Sequence, residues 1–145
     1  MAGNKEKKRL YVGCGLTLSS QEFKDQVEAL KTELRKDWDV LEFLGLVAGT
    51  AADVYRRDIV ENVGSCDAFV AIADEPSIGL GYELAIAVEQ HRKPVLATAH
   101  TSSRITRMLL GAAEVHPNMA FEPYEDMVTG VPELVRVQFA SVLKG

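Results

Sequence analysis

Short apolar runs alternate along the chain with segments whose apolar residues recur every three to four positions. The apolar runs predict five β-strands, over about residues 10–14, 40–46, 68–72, 95–99 and 119–121. The run from Ala68 to Ile72 is apolar at every position, which is typical of a parallel strand that is buried on both faces. The pattern predicts one α/β domain over residues 1–145, a Rossmann-like (flavodoxin-like) sheet of about five parallel strands with helices on both faces.

Local signals set the expected ends of the helices. Ser19 and Glu22 form a capping-box pattern at the start of the first helix. Gly64 is a suitable helix stop, and Pro132 suits the first turn of a closing helix. The predicted helices cover about residues 19–36, 51–63, 81–91, 102–113 and 132–143.

Composition and charge narrow the classes of function. The 145 residues carry a net charge of −5, and this acidic balance argues against binding to a nucleic-acid polymer. Cys14 and Cys66 form no metal-binding or redox pair, and no apolar run approaches the roughly 20 residues that span a membrane. We expect a cytoplasmic protein with reduced thiols, no membrane partner, and a flexible lead-in over residues 1–9.

The glycine-rich segment after the central strand is the strongest candidate for chemistry. In an open parallel sheet, ligands bind beyond the carboxyl ends of the strands, where this segment begins. Its glycines at 79 and 81 let the backbone approach a ligand, and the following helix offers free N–H groups to an anion. Glu83 is predicted in the first turn of that helix, where the dipole favours an ionised carboxylate, as a nucleophile requires. Alternatively, Glu83 only complements the helix dipole.

The same segment resembles the signature of a known enzyme superfamily. The run Ser77-x-Gly79-x-Gly81-Tyr82-Glu83-Leu84, before Lys93-Pro94, is similar to that of the nucleoside 2-deoxyribosyltransferases. Further matching features follow in the expected order: Tyr11, Gly13-Cys14-Gly15, Arg57-Asp58-Ile59, Cys66-Asp67 and the segment 106–113. The resemblance covers most of residues 10–113 and implies the cleavage of N-glycosidic bonds.

Within the superfamily, the sequence most resembles the 2'-deoxynucleoside 5'-phosphate N-hydrolases. Ser77 stands where the deoxyribosyltransferases tend to have an aspartate, and a serine donates to a phosphate that an aspartate would repel. A hydroxyl-rich loop, 101–103, is followed by Arg104 and Thr106. In similar hydrolases, a hydroxyl near the position of Thr106 reaches the phosphate in the neighbouring subunit's site. The resemblance therefore implies a homodimer whose site the neighbouring subunit completes.

The resemblance also implies a role for each candidate residue. Glu83 would attack C1' as the nucleophile, Tyr11 would orient it, and Asp58 would be the second carboxylate. The expected substrate-binding set is Gly13, Gly15, Ser77, Gly79, Gly81, Thr106 and Met108, with the phosphate held by the Ser77 and Thr106 hydroxyls and by the amides of Gly79 and Gly81. Neither a cofactor nor a metal is expected, and the partner is a small nucleotide or nucleoside.

Alternatives remain for several of these assignments. Tyr11 could be an ordinary half-buried strand tyrosine, Asp58 a surface carboxylate paired with a neighbouring arginine, and Met108 a core residue. Asp67 is better explained as a cap at the entry of its strand. For the whole protein, the alternatives to a monophosphate hydrolase are a transferase that exchanges bases and a non-catalytic nucleotide-binding module. Whether the sugar is deoxyribose or ribose stays open.

Overall fold

Five parallel strands form the centre of the protein. A computed structural model describes residues 6–44 and 48–145. The strands run in the spatial order β2-β1-β3-β4-β5, with the bounds β1 Arg9–Cys14, β2 Asp39–Leu41, β3 Ala68–Ile72, β4 Val95–Thr98 and β5 Met119–Phe121. Every pairing is parallel, and β1 lies between β2 and β3. The predicted α/β fold with a flavodoxin-like five-stranded sheet is confirmed.

Helices cover both faces of this sheet. Their bounds are α1 Gln21–Leu34, α2 Ala51–Tyr55, α3 Ile78–Ala85, α4 Arg107–Val115, α5 Met127–Gln138 and α6 Ala140–Lys144. Two of them continue as π-helices: α2 over Arg56–Val63 and α3 over Ile86–Gln90.

The apolar positions of β3 show why both faces are covered. Val70 and Ile72 pack in one core with α1 and α5, whereas Phe69 and Ala71 pack in a second core with α3. Because successive side chains of a strand point to opposite faces, a strand that is apolar at every position must be buried between two layers. Because β1 and β3 pair in parallel, their carboxyl ends lie side by side, and α3 packs on one face of these strands.

The side-chain caps correct three of the predicted helix starts. Ser20, not Ser19, caps α1 by accepting from the Phe23 amide at 3.1 Å. Ser77 caps α3, which therefore begins at Ile78 rather than near residue 81. The α4 helix begins at Arg107 instead of residue 102. In each case a serine or threonine hydroxyl satisfies an amide of the first turn, and the helix begins directly after it.

The closing helix and the second strand also differ from the prediction. Asp126 caps α5 by accepting from the Thr129 amide at 2.9 Å, so Pro132 lies inside the helix instead of in its first turn. The β2 strand ends at Leu41; residues 42–44 leave the sheet, and the rest of the predicted strand, 45–47, lies outside the described residues. The first five residues of the predicted flexible lead-in also lie outside them. No helix in the described part of the chain is long and apolar enough to cross a membrane.

Candidate active site

Glu83 lies on the face of α3 that is turned toward β1. If Gly13 carried a Cβ atom, that atom would lie 2.9 Å from Oε2 of Glu83 and 2.9 Å from the Phe69 ring. Contacts under 3.0 Å are too close for a real Cβ. Glycine at position 13 therefore lets the carboxylate come down onto the backbone of β1, which gives this predicted binding residue a packing role.

The Glu83 carboxyl group is held in a strongly perturbed environment. Burial, supported by the nearby negative charge of Asp58, raises the pKa of Glu83 to about 8, and hydrogen bonding from Tyr11 opposes this rise. Its Oε2 atom is buried and accepts no hydrogen bond from any residue that the structure describes. The group does not lie in the first helical turn, because α3 begins at Ile78. The expectation that the helix dipole keeps Glu83 ionised is therefore wrong, since desolvation outweighs the dipole at this depth.

Tyr11 is fully buried on β1, so it is not a half-exposed strand tyrosine. Its ring stacks on the Phe69 ring, with 5.1 Å between centroids and 15° between planes. Burial and the negative charge of Glu83 raise the pKa of Tyr11 far above its usual value. The phenol is consequently a permanent neutral donor, which suits it to orient the Glu83 carboxylate.

Asp58, the predicted second carboxylate, lies in the π-helical part of α2. Burial raises its pKa, opposed by a hydrogen bond from the Leu44 amide to Oδ1 at 3.2 Å and by the charge of Arg57. Arg57 forms its ion pair with Glu61 instead. Asp58 is therefore no routine surface ion pair, and its location agrees with the tendency of π-helical turns to occur at functional sites.

The N-terminus of α3 has two amides without an acceptor in the part of the chain that the structure describes. Ser77 Oγ accepts from the Leu80 amide at 3.1 Å, and the Ser77 carbonyl accepts from the Gly81 amide at 3.1 Å. The amides of Ile78 and Gly79 donate to no acceptor within the described residues. An anion here would thus meet Ile78 and Gly79, and not the Gly81 amide that the sequence analysis expected.

The loop after β1 packs against the same helix start. A Cβ atom on Gly15 would lie 3.0 Å from Cβ of Ser77 and 3.2 Å from the Glu75 carbonyl oxygen. Gly15 therefore allows two neighbouring loops to touch. By contrast, a Cβ on Gly79 would meet only Ser77 Oγ, at 3.8 Å, and one on Gly81 would meet nothing within 4 Å.

A cavity of about 130 Å³ lies between α3 and the loop before α4, and Ser77, Arg104 and Thr106 contribute its polar lining, with Glu75. Thr106 caps α4 and accepts from the Met108 amide at 3.3 Å. The cavity thus brings Thr106 to Ser77 of its own chain, while the resemblance implied a neighbouring subunit. Glu83 does not line this cavity.

Met108 is 79% exposed on α4, so it does not fill the core. Asp67 accepts from the Arg9 amide at 2.7 Å, before the start of β3. It lies at the opposite end of the sheet from Glu83, which agrees with a strand-entry role.

The thiols of Cys14 and Cys66 are unpaired, and burial raises the pKa of Cys14 to about 11. Among the described residues, no three His, Cys, Asp or Glu side chains are grouped to hold a metal.

Two contributors to the site escaped the sequence analysis. One is Asp74, whose Oδ2 accepts from the Tyr124 hydroxyl at 2.6 Å and from the His100 amide at 3.3 Å. These bonds fix the start of the loop that carries Arg104. The other contributor is the Leu44 amide that holds Asp58. Both are contacts between distant parts of the chain, and no local pattern in the sequence signals them.

Comparison with known proteins identifies the fold. No family model matches the sequence, and a search of curated proteins found no match. Among solved structures, the CMP N-glycosidase BcmB of Clostridium botulinum matches with a TM-score of 0.69 over 90% of this chain and 98% of that chain. The chain shares the fold of this glycosidase. This likeness confirms the predicted α/β fold, and the 18% sequence identity limits the likeness to the fold.

The buried carboxyl group of Glu83 should make stability depend on pH. A carboxyl with a raised pKa binds its proton more tightly in the folded chain, so stability is lost as the pH rises from about 4.5 toward about 8. Glu83→Gln removes the charge but keeps the shape. We expect it to match the wild type at about pH 4 and to be more stable by about 2 kcal/mol at about pH 9, as measured by urea unfolding.

Glu89→Gln is the matched control, since Glu89 is an exposed carboxylate on the π-helical continuation of α3. It should change stability little at either pH. A Glu83→Gln variant that gains nothing at high pH would show that this carboxylate is adequately solvated in the fold.

Proposed function

We propose that this protein hydrolyses the N-glycosidic bond of nucleoside 5'-monophosphates, releasing the free base and a (deoxy)ribose 5-phosphate. The observation that carries the proposal is the Glu83 carboxylate, which is buried against Gly13 and beside Tyr11, and whose Oε2 has no partner among the described residues. A buried acceptor without a donor costs stability. In an active site, this cost is offset when the acceptor interacts with a developing positive charge or with the carbon that it attacks. The structural neighbour is itself a nucleotide N-glycosidase, which supports the same reaction class.

The chemistry follows from the two carboxylates. As the bond from C1' to the base nitrogen breaks, positive charge develops on the sugar, and ionised Glu83 attacks C1' to form a glycosyl ester. The bonding electrons leave with the base, which takes a proton from Asp58 or from water. Water then hydrolyses the ester and regenerates the carboxylate. Tyr11 orients Glu83 throughout, and no metal or cofactor is needed.

The start of α3 is the proposed site of the 5'-phosphate. The amides of Ile78 and Gly79, which have no acceptor in the described part of the chain, lie at the helix N-terminus, where the positive end of the dipole favours an anion. The Ser77 hydroxyl accepts from Leu80 and keeps its own proton to donate. Arg104 and Thr106 line the same cavity as Ser77, and in this proposal they add a cation and a second hydroxyl.

A homodimer is part of the proposal. Several large apolar side chains are exposed on α2, α3 and α4, on the same side of the sheet as Glu83. Ile78 is 95% exposed and Met108 is 79% exposed, and Tyr55 and Tyr82 form an exposed edge-to-face pair. Exposed apolar groups of this size on neighbouring helices are typical of an interaction surface, and a second copy of the chain would cover them.

Base release from nucleotides tests the function directly. We would incubate the purified protein with each deoxynucleoside 5'-monophosphate, the matching unphosphorylated nucleoside and the matching ribonucleotide, CMP included. We expect release of base from monophosphates only. Glu83→Gln and Glu83→Ala should reduce kcat by about a thousandfold or more, because the nucleophile is lost. Glu89→Gln should retain full activity.

The same assay separates the alternatives. Formation of a new nucleoside when a free acceptor base is added would assign the protein to base exchange instead of hydrolysis. Nucleotide binding without turnover of any substrate would leave a binding module. Comparison of CMP with dCMP would decide between ribose and deoxyribose, for which the structural neighbour supports the ribonucleotide.

The pH dependence should report the ionisation of Glu83. A nucleophile must be deprotonated, so we expect kcat/KM to fall about tenfold per pH unit below about pH 8, the raised pKa of Glu83, and to level off above it. The measurement is kcat/KM in constant-ionic-strength buffers. If activity instead declined above pH 8, Glu83 would serve as a general acid.

The glycines of α3 provide a further test, because a glycine weakens a helix but lets the backbone approach a ligand closely. A Cβ on Gly79 or Gly81 meets no obstacle, so alanine at either position should leave stability unchanged or raise it by up to about 1 kcal/mol. Gly79 lies one turn before Glu83 on the same helix face, whereas Gly81 faces the cavity. We expect Gly79→Ala to lower kcat/KM at least about tenfold.

Gly81→Ala is the matched control for this substitution. Its amide is already bonded to Ser77, so we expect a clearly smaller loss of kcat/KM than in Gly79→Ala. Thermal unfolding and initial rates of the two variants decide the point. A larger loss in Gly81→Ala than in Gly79→Ala would contradict binding of the phosphate at the Gly79 amide.

A further inference from the structure

Lys31 is a charged residue with no exposed surface. It lies on α1, and its ammonium group contacts Glu28 at 3.3 Å, Glu42 at 3.1 Å and the face of the Phe43 ring at 3.9 Å from the centroid. Burial of an ammonium group is costly even when it is paired, and an apolar side chain of similar volume is often as stable. Stability of the core therefore does not explain why a lysine stands here.

Two of the three partners of Lys31, Glu42 and Phe43, belong to the short segment 42–44, which follows β2. The Glu42 carboxylate also binds Arg35. The backbone carbonyl of Glu42 accepts from the buried Asn62 side chain at 2.9 Å. Phe43 is held under the Lys31 ammonium group. The strand ends at Leu41, so no sheet ladder fixes these residues. Instead, side chains of α1 and of the π-helix hold these residues in place.

The last residue of the segment, Leu44, is hydrogen-bonded to Asp58. The Leu44 amide, next to Phe43, donates to Oδ1 of Asp58 at 3.2 Å. It is the only hydrogen bond to this carboxylate within the described residues. The chain of contacts from Lys31 through Phe43 and Leu44 therefore connects a buried charge on one face of the sheet to the second carboxylate of the candidate site on the other.

We propose that Lys31 is a positioning residue, which fixes segment 42–44 so that the Leu44 amide holds Asp58 in place for catalysis. The proposal rests on the proposed function for the role of Asp58, but not for the contacts themselves. Lys31 touches neither substrate nor reacting atoms, and it acts only through the segment. Loss of its charge should displace Leu44, free the Asp58 carboxylate and leave the substrate phosphate contacts intact.

The test is Lys31→Met, which keeps most of the side-chain length and removes the charge. We expect kcat to fall at least about tenfold with KM changed less than about threefold, because misplacement of a catalytic group impairs the reaction more than binding. Lys36→Met is the matched control, since Lys36 lies just after the end of α1 with an exposed ammonium paired to Glu33. Lys36→Met should retain wild-type kinetics, and Lys31→Arg should recover part of the lost kcat.

Carboxyl-detected NMR provides a readout that does not require activity. The Leu44 hydrogen bond lowers the pKa of Asp58, so its loss in Lys31→Met should raise that pKa and shift the Leu44 amide resonance. Glu42→Gln, which weakens the same anchor at a half-exposed side chain, should give smaller changes of the same sign. It serves as the second variant if Lys31→Met does not fold.

The outcomes separate the two hypotheses. A folded Lys31→Met with wild-type kcat, Asp58 pKa and Leu44 resonance would overturn the positioning role and leave the hydrolase proposal standing. A wild-type protein that turns over no nucleotide would sink the hydrolase proposal. In that case the Asp58 pKa and the Leu44 resonance still decide whether Lys31 controls this carboxylate.

Discussion

The burial of one carboxyl group between β1 and α3 is the constraint on which the candidate site depends. Glu83 reaches the sheet only because position 13 lacks a side chain, and it meets Tyr11 only because β1 and β3 pair in a register that stacks Tyr11 on Phe69. Oε2 has no donor among the described residues. The surrounding structure therefore holds an acidic oxygen where water cannot fully solvate it. This arrangement is unfavourable, and the packing around the carboxyl group maintains it.

The two faces of the sheet contribute differently to this arrangement. The face under α2 and α3 carries the candidate reactive groups, namely Tyr11, Asp58 and Glu83. The face under α1 and α5 supplies supports, of which the buried Lys31 and the bond from Tyr124 to Asp74 are the clearest. These supports act on loops at the carboxyl ends of the strands. A parallel sheet brings those ends together at one edge, so groups on both faces can fix one site.

Much of this could be predicted from the sequence, because the signals are local. The uniformly apolar run at β3 predicts a strand buried on both faces, and Glu83 follows a glycine-rich turn whose position after a strand indicates a site. The ionisation of Glu83 could not be predicted this way. A one-dimensional pattern places the residue near a helix start, but only the packed structure shows that Ser77 moves that start three residues earlier and that desolvation governs the carboxyl.

The support of Asp58 was equally invisible to local patterns. The apolar run after β2 extends past residue 44, which predicts a longer strand, yet the chain leaves the sheet at Leu41. The reason is competition for backbone groups. Asn62 takes the Glu42 carbonyl and Asp58 takes the Leu44 amide, so neither group remains for a strand ladder. The donor Asn62 and the acceptor Asp58 both lie on a helix at least 14 residues further along the chain.

The cost of the buried carboxylate is also the strongest argument for catalysis over simple nucleotide binding. A binding module needs donors for the phosphate, and the start of α3 supplies these without Glu83. For binding alone, a neutral side chain at position 83 would remove a desolvated charge, relieve its repulsion with Asp58 and stabilise the fold. The presence of both acids, one of them with an oxygen that has no donor in residues 6–44 and 48–145, brings no structural benefit. Cleavage of a glycosidic bond gives both groups a use, since the sugar becomes positive only while the bond breaks.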